Sequence, residues 1–186
     1  MSPQYKALVV ALIWVVWVLP FALFRPKGKA KIAKIDRRAI WGVLLERAGV
    51  LVIFIHRSGE WAEAVPLWRL ALCLACATVA WGFSWTSVRQ LGPQWRIQAG
   101  LNEDHQLITT GAYRVVRHPI YASMLWMLLA GIALIGTLPL WPVAVALFIL
   151  GTEIRVRVED NLLLERFGEE FETWKRRTPA YFPPIR

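Results

Sequence analysis

The chain has 186 residues, in which 22 lysines and arginines against 13 acidic residues give a formal net charge of +9. Apolar residues make up 56% of the chain and charged residues only 19%, which excludes a disordered protein and is typical of a membrane protein. Two cysteines exclude a disulfide scaffold, and long uncharged stretches argue against a nucleic-acid-binding protein. We therefore expect a small membrane protein with basic loops and no nucleic acid among its partners.

Apolar segments predict the transmembrane helices. The first contains about 20 residues, and a helix of that length rises about 30 Å, the thickness of the hydrocarbon core. We expect it to be a retained helix rather than a signal peptide, because no small-residue cleavage site follows it. Pro139 and Pro142 at the start of the last segment predict a tight helical hairpin over 119–154. The chain is thus predicted to be all-α and polytopic, with about five transmembrane helices at 5–24, 39–55, 65–88, 119–138 and 139–154.

The charge of the loops predicts the orientation. The segment 25–38 has seven basic residues and one acid, whereas 56–64 has one basic residue and two acids. The segment 89–118 has four basic residues, and the part of the chain from residue 155 onward has seven. With five spans, all three basic segments fall on one side, which the positive-inside rule assigns to the cytoplasm. We expect the N-terminus outside and the C-terminus inside, in contact with membrane lipid.

Polar groups inside the spans are few. Glu46 and Arg47 are costly in lipid and are expected to face the interior of the helical bundle. Cys73 and Cys76 form a C-x-x-C pair in the middle of an apolar span, where we expect thiols that pack rather than a metal or redox site.

Two segments at the predicted cytoplasmic boundary contain most of the candidate chemistry. In 98–121, Pro119 fits the first turn of the fourth helix and places His118 near its N-cap. A helix N-terminus favours a carboxylate or phosphate ligand, and Arg114 and Arg117 add positive charge. The same residue types also anchor helix ends at membrane interfaces, so the composition alone leaves both interpretations open.

The second segment, 155–171, begins directly after the fifth span. Arg155 and Glu159 are four residues apart and therefore lie on one helical face, either as an exposed ion pair or as part of a site. An apolar stripe predicts an amphipathic cytoplasmic helix lying on the membrane or on the bundle. The stripe consists of Leu162, Leu163, Phe167 and Phe171.

Together, the stretches DHQLITTGAYRVVRHPIY (104–121) and EDNLLLERFGEEFETWKRRTPAYFP (159–183) resemble the isoprenylcysteine carboxyl methyltransferase family of integral membrane methyltransferases. The order of the two motifs and the hairpin between them match. The resemblance divides the chain into N-terminal helices, 1–88, with the basic loop 25–38, and a catalytic core, 89–186. It implies S-adenosyl-L-methionine as cofactor, and it implies no metal site.

The resemblance also implies roles for individual residues. Arg155 matches an arginine that contacts the methyl acceptor, and we expect Arg155 and Glu159 to be the catalytic residues. Asp160 and Phe171 depart from the family's usual glutamate and tyrosine. The residues matched to cofactor contacts are Gln98, His105, Gln106, Leu107, Ile108, Tyr113, Arg117, His118, Pro119, Ile120, Tyr121 and Glu159.

The cofactor's methionine end has an ammonium, which Glu159 can bind, and a carboxylate, which His118, Arg117 or helix-end amides can bind. We expect a lipid-like acceptor carboxylate to enter from the bilayer, with the site facing the cytoplasm. The small size of the chain favours a bacterial inner membrane. Alternatives are a phospholipid N-methyltransferase, a thiol S-methyltransferase, an NADPH-dependent enzyme similar to sterol reductases, and a non-catalytic relative. The sequence does not select among these acceptors or set the oligomeric state.

Overall fold

The computed structural model describes residues 3–24, 32–55, 64–96, 100–135 and 139–182, and these are mostly helical. A short 3₁₀ turn covers Gly92–Gln94. The helices are α1 (Pro3–Leu23), α2 (Ala39–Val52), α3 (Leu67–Leu91), α4 (Ala112–Val115), α5 (Pro119–Ile135), α6 (Trp141–Phe167) and α7 (Glu169–Arg177); the strands are β1 (Ile32–Ile35) and β2 (Gly100–Asn102).

Two helices of the described chain, α1 and α3, are long and apolar enough to cross a membrane, judged by length and composition. The predicted fourth span corresponds to α5, which is apolar but has only 17 residues. The predicted second span corresponds to α2, whose 14 residues rise about 21 Å, less than the hydrocarbon thickness. The five-span count therefore stays a prediction.

Helices that are distant in sequence pack together. Helix α3 packs along α5, α2 packs along α6, and α1 lies against α3. Residues spaced at helical intervals on α3, including Cys73 and Cys76, are buried in the core against α5. Both thiols are free, and they occupy the packing positions expected from the sequence.

Glycines bring α2 and α6 into backbone contact. A Cβ atom added at Gly42 would lie 2.5 Å from the carbonyl oxygen of Gly151, and one added at Gly151 would lie 2.5 Å from that of Gly42. Gly49 similarly faces the carbonyl oxygen of Ala144 at 2.6 Å. Because the two backbones are in contact at these glycines, the side chains on the same face of α2 lie within reach of α6.

The predicted fifth span and most of the predicted cytoplasmic helix, 155–171, form one continuous helix, α6, of 27 residues, whereas Phe171 of the predicted stripe lies in α7. No proline follows Pro142 in this stretch, so the backbone has no reason to break at the apolar-to-polar boundary near residue 155. The helix ends at Gly168, whose φ of +52° suits glycine and turns the chain into α7.

A small antiparallel ribbon formed by β1 and β2 was not predicted from the sequence. In its register, Ile35 pairs with Gly100, Lys34 with Leu101 and Ile32 with Asn102, and the regular pairing is interrupted between Ile32 and Lys34. Strands this short lack a period-two pattern long enough to stand out in a sequence. The ribbon joins the predicted cytoplasmic loop 25–38 to the segment that leads into the candidate site.

Candidate functional site

An open cleft lies where β2, the start of α5, the polar half of α6 and α7 meet. Gln98 lies outside the described residues. All the other predicted site residues line the cleft: His105, Gln106, Leu107, Ile108, Tyr113, Arg117, His118, Pro119, Ile120, Tyr121, Arg155 and Glu159.

Glu159 is held by two side chains of the motif around Pro119. The Tyr121 hydroxyl donates a hydrogen bond to its carboxylate, and His118 Nδ1 lies 3.3 Å from the other oxygen. Burial alone would raise the pKa of Glu159, but the hydrogen bond and charge of His118 outweigh it and hold that pKa below its ordinary value. The cleft therefore presents an ionised carboxylate, which suits a cationic ligand group.

Asp160 is paired more deeply, outside the cleft lining. Burial opposes its ionisation, yet the hydrogen bond from His118 and the charges around it lower its pKa to about 2. Its basic partners are His118 Nε2 at 2.8 Å, Arg117 Nη2 at 3.2 Å and Lys175 Nζ at 3.0 Å. The aspartate that departs from the family's usual glutamate is thus the centre of a buried ion-pair network.

His118 bridges the two acids with both ring nitrogens. Burial would lower its pKa, but hydrogen bonds to Asp160 and Glu159 more than offset this effect and raise it above the ordinary value. Only the imidazolium form donates from both nitrogens at once. The geometry therefore favours a charged His118 that aligns the two carboxylates.

Arg117 mainly fixes the C-terminal segment, although it also borders the cleft. Its guanidinium donates to the carbonyl oxygens of Thr178 and of Lys175, the latter at 3.2 Å. Its backbone N–H donates to Pro179 O at 2.8 Å, and the next N–H donates to Ala180 O at 2.7 Å. These donors, expected from the sequence to receive an anion, are engaged by residues 175–180, so they tie the end of α7 and the chain after it to the start of α5.

Arg155 lies over the ring of Tyr121. Its guanidinium carbon is 4.5 Å from the centre of that ring, a cation–π contact. Its Nη1 forms an ion pair of 2.6 Å with Glu46 of α2, and Glu46 also accepts a hydrogen bond of 3.1 Å from Thr152. The sequence predicted, from charge within a span, that Glu46 and Arg47 both face the bundle interior. The prediction is correct for Glu46, whose partner lies 109 residues away. It is wrong for Arg47, which is exposed because consecutive helical residues point about 100° apart.

Three further polar atoms are buried at the cleft without a hydrogen-bond partner among the described residues: Arg96 Nη1, His105 Nδ1 and Trp174 Nε1. Burial, together with the nearby charges of Arg96 and Arg166, lowers the pKa of His105 to about 4, so its ring is neutral. Arg96 was not predicted, although it stands two residues before Gln98. Buried polar groups normally have partners, so these three atoms are available to a polar ligand in the cleft.

Comparison with known proteins agrees with the motifs. Residues 71–165 match the model of the isoprenylcysteine carboxyl methyltransferase (ICMT) family. The chain is 30% identical to the cobalt-zinc-cadmium resistance protein CzcN of Cupriavidus metallidurans over 80% of this chain and 64% of that protein. It is 28% identical to the nickel-cobalt-cadmium resistance protein NccN of Alcaligenes xylosoxydans xylosoxydans over 70% of this chain and 66% of that protein.

A further relative is the protein-S-isoprenylcysteine O-methyltransferase of Schizosaccharomyces pombe, with 32% identity over 45% of this chain and 36% of that enzyme. The chain thus spans just under two thirds of the lengths of the two resistance proteins. The family match covers about half of the chain and contains most of the residues that line the cleft, and the resemblance predicted from the sequence is confirmed. The chain belongs to the isoprenylcysteine carboxyl methyltransferase family.

Proposed function

We propose that the chain is an integral membrane methyltransferase that uses S-adenosyl-L-methionine to methylate a carboxylate on a lipid-like, isoprenylcysteine-type acceptor. The observation that carries the proposal is that Tyr121 contacts both residues: the Arg155 guanidinium lies over its ring, and its hydroxyl donates to Glu159. The cleft thereby offers a cation for an acceptor carboxylate close to an anion for the cofactor's ammonium. Membership of the family supports the reaction class.

The described residues fit the cofactor. Glu159 is ionised and open enough to receive an ammonium group. Arg96 Nη1 and Trp174 Nε1 are buried donors that still need acceptors, which suits a carboxylate and ribose hydroxyls. Neutral His105 can accept a hydrogen bond at Nδ1, and Tyr113 presents an aromatic wall.

The protein's contribution to catalysis is alignment. When bound, the cofactor supplies an electrophilic methyl group, and methyl transfer is an in-line displacement that depends on the placement of donor and acceptor. An acceptor carboxylate has a pKa of about 4 and needs no general base at neutral pH. The role of Arg155 is therefore to orient that carboxylate, with its planar guanidinium held against the Tyr121 ring.

An amine acceptor, as in a phospholipid N-methyltransferase, is a second candidate. One observation favours it: Arg155 is already paired with the carboxylate of Glu46, and the second carboxylate, Glu159, borders the cleft four residues along the same helical face. A neutral amine would have to form by loss of a proton before transfer, and a carboxylate near the acceptor could receive that proton. Thiol S-methylation likewise requires a group that receives the proton of the acceptor before transfer.

The membrane topology is also proposed. Five spans in a bacterial inner membrane, with the N-terminus outside, would place the cleft at the cytoplasmic face, where the cofactor is available. The three basic segments support this orientation. A cysteine introduced in 25–31 should then be inaccessible to a membrane-impermeant thiol reagent added to intact cells.

Cofactor binding is the first measurement. We expect detergent-purified protein to bind S-adenosylhomocysteine with a micromolar Kd in isothermal titration, and we expect Glu159→Ala to weaken binding at least tenfold, because the ammonium loses its counter-charge. Glu172→Ala, which removes an exposed glutamate of α7, is the matched control and should bind as wild type does. Absence of binding by folded wild-type protein would contradict the proposal.

The acceptor is identified by the bond that the methyl group forms. With methyl-labelled cofactor and a farnesylcysteine analogue, we expect a base-labile methyl ester, and Arg155→Gln should lower kcat/KM for the acceptor by at least tenfold. Label found in base-stable N-methyl or S-methyl products of membrane lipids or small thiols would move the amine or thiol acceptor to first place.

A further inference from the structure

We infer that Glu46 of α2 is a positioning residue that holds Arg155 in the orientation required by the methyl acceptor. The inference rests on the proposed function and extends it to a helix outside the matched region, which begins at residue 71. Glu46 does not line the cleft formed by the described residues, so it would act through Arg155 and not on the reacting atoms.

The carboxylate of Glu46 is fixed at both oxygens. One oxygen lies 2.6 Å from Arg155 Nη1, and the other accepts the hydrogen bond of Thr152 at 3.1 Å. The side chain of Glu46 is 3% exposed. Charge-assisted hydrogen bonds shielded from water are strong and directional, so this contact restricts the rotation of the guanidinium.

Tyr121 restricts the other side of Arg155. The guanidinium lies over the Tyr121 ring, and the hydroxyl of that ring is bonded to Glu159. The four groups form a continuous chain of contacts from α2 through α6 to α5 and back to α6. Within it, Glu46 is the terminal member on the side of Arg155, and Glu159 is the terminal member on the side of Tyr121.

The backbone contact between α2 and α6 makes this geometry possible. A Cβ atom at Gly151 would lie 2.8 Å from the backbone nitrogen of Glu46, and one at Gly42 would lie 2.5 Å from Arg155 Cγ. Only glycines at both positions let the helices approach closely enough for a glutamate to reach the guanidinium. The N-terminal half of the chain thereby supplies a residue to a site whose other described members belong to residues 91–174.

Glu46→Gln tests the inference, because it keeps the size of the side chain and removes its charge. In detergent-purified protein, we expect kcat/KM for the farnesylcysteine analogue to fall at least tenfold, while the Kd for S-adenosylhomocysteine stays within threefold of wild type. A residue needed only for folding would lower cofactor affinity and acceptor turnover together. Arg47→Gln, at the exposed neighbouring position, is the matched control and should behave as wild type does.

Thr152→Val is the second variant, because it removes one hydrogen bond to Glu46 and leaves both charges in place. We expect a twofold to fivefold loss of acceptor kcat/KM with unchanged cofactor affinity. The inference is overturned if Glu46→Gln turns over the acceptor within threefold of wild type or loses cofactor affinity in proportion to turnover. If Glu46→Gln does not fold, a Thr152→Val variant equal to wild type overturns it. Wild-type protein that binds cofactor but does not methylate the analogue contradicts the proposed acceptor, and with it the inference.

Discussion

His118 shows how one side chain can serve both the structure and the site. Its two ring nitrogens contact Glu159, which faces the cleft, and Asp160, which faces the C-terminal segment. A change in the protonation state of His118 would therefore alter its interactions with both Glu159 and Asp160. The imidazolium is stabilised in the folded protein because both of its neighbours are carboxylates.

This arrangement predicts a pH-dependent stability. Because the pKa of His118 is raised in the folded state, its contribution to stability is fully present below the unfolded value of about 6.5 and is lost as the pH rises through the higher folded value. We expect the difference in Tm between wild type and His118→Gln to be largest near pH 6 and to shrink steadily towards alkaline pH. A Tm difference that stays constant from pH 6 to pH 9 would show that folding does not raise the pKa of His118.

Individual site residues differ in how far the sequence could predict them. The motif around Pro119 and the pair Arg155 and Glu159 are short-range patterns, and the structure brings them to one cleft. The partners of Arg117 and Arg155 could not be predicted, because the carbonyl oxygens of 175–180 and the carboxylate of Glu46 reach them only through tertiary packing. A local pattern specifies which side chains are present, but not which distant groups they contact.

At the scale of the elements, the contact between α2 and α6 is sensitive to substitution, because added Cβ atoms at its glycines would overlap the facing backbone. The starts of the predicted helices agree with the structure to within a few residues, because apolar runs and prolines mark them. The continuous α6 and the ribbon of β1 and β2 were not predicted, since the first crosses a change in polarity and the second is too short to show a pattern. Which helices pack together also could not be predicted from the sequence, because the spacing of glycines does not indicate which helix they contact.

Substitution of Gly151 by alanine tests this contact. The added methyl group would overlap the carbonyl oxygen of Gly42, so α2 must move away from α6, and overpacking of this kind costs about 1–3 kcal/mol. We expect a lower Tm and a loss of acceptor turnover larger than the loss of cofactor affinity. Gly82→Ala is the control, because nothing lies within 4 Å of its added Cβ atom. Equal Tm values for the two variants would contradict the close approach.

At the scale of the whole molecule, the C-terminal segment, which is α7 with the residues after it, borders the cleft. Trp174 of α7 lines the cleft, and Arg117 binds the carbonyl oxygens of Lys175 in α7 and of Thr178 after it. Buried Arg117, just before α5, thus joins that part of the chain to the C-terminal segment, chiefly through hydrogen bonds to backbone carbonyl oxygens. Release of this segment would open the cleft on one side.

Arg117→Gln should therefore weaken two properties together. We expect the Kd for S-adenosylhomocysteine to rise about tenfold or more, because truncating one partner of a buried charged hydrogen bond costs about 2–5 kcal/mol. We also expect faster trypsin cleavage at the exposed basic residues 175–177, with partial protection by saturating S-adenosylhomocysteine. Arg114→Gln, which changes an exposed arginine of the same motif, should change neither measurement. Faster trypsin cleavage without a loss of affinity for S-adenosylhomocysteine would show that the C-terminal segment does not contribute to cofactor binding.

The pairing of Glu46 with Arg155 also has a consequence for biosynthesis. The two residues are 109 positions apart, and a ribosome that adds about 5–20 residues per second needs roughly 5–20 s to make that stretch. During this interval the nascent α2 has a carboxylate whose arginine partner does not yet exist. In the proposed five-span topology, stable lateral release of α2 into lipid should therefore wait for α6, so that the second helix is delayed at the insertion machinery and enters the bilayer together with the sixth.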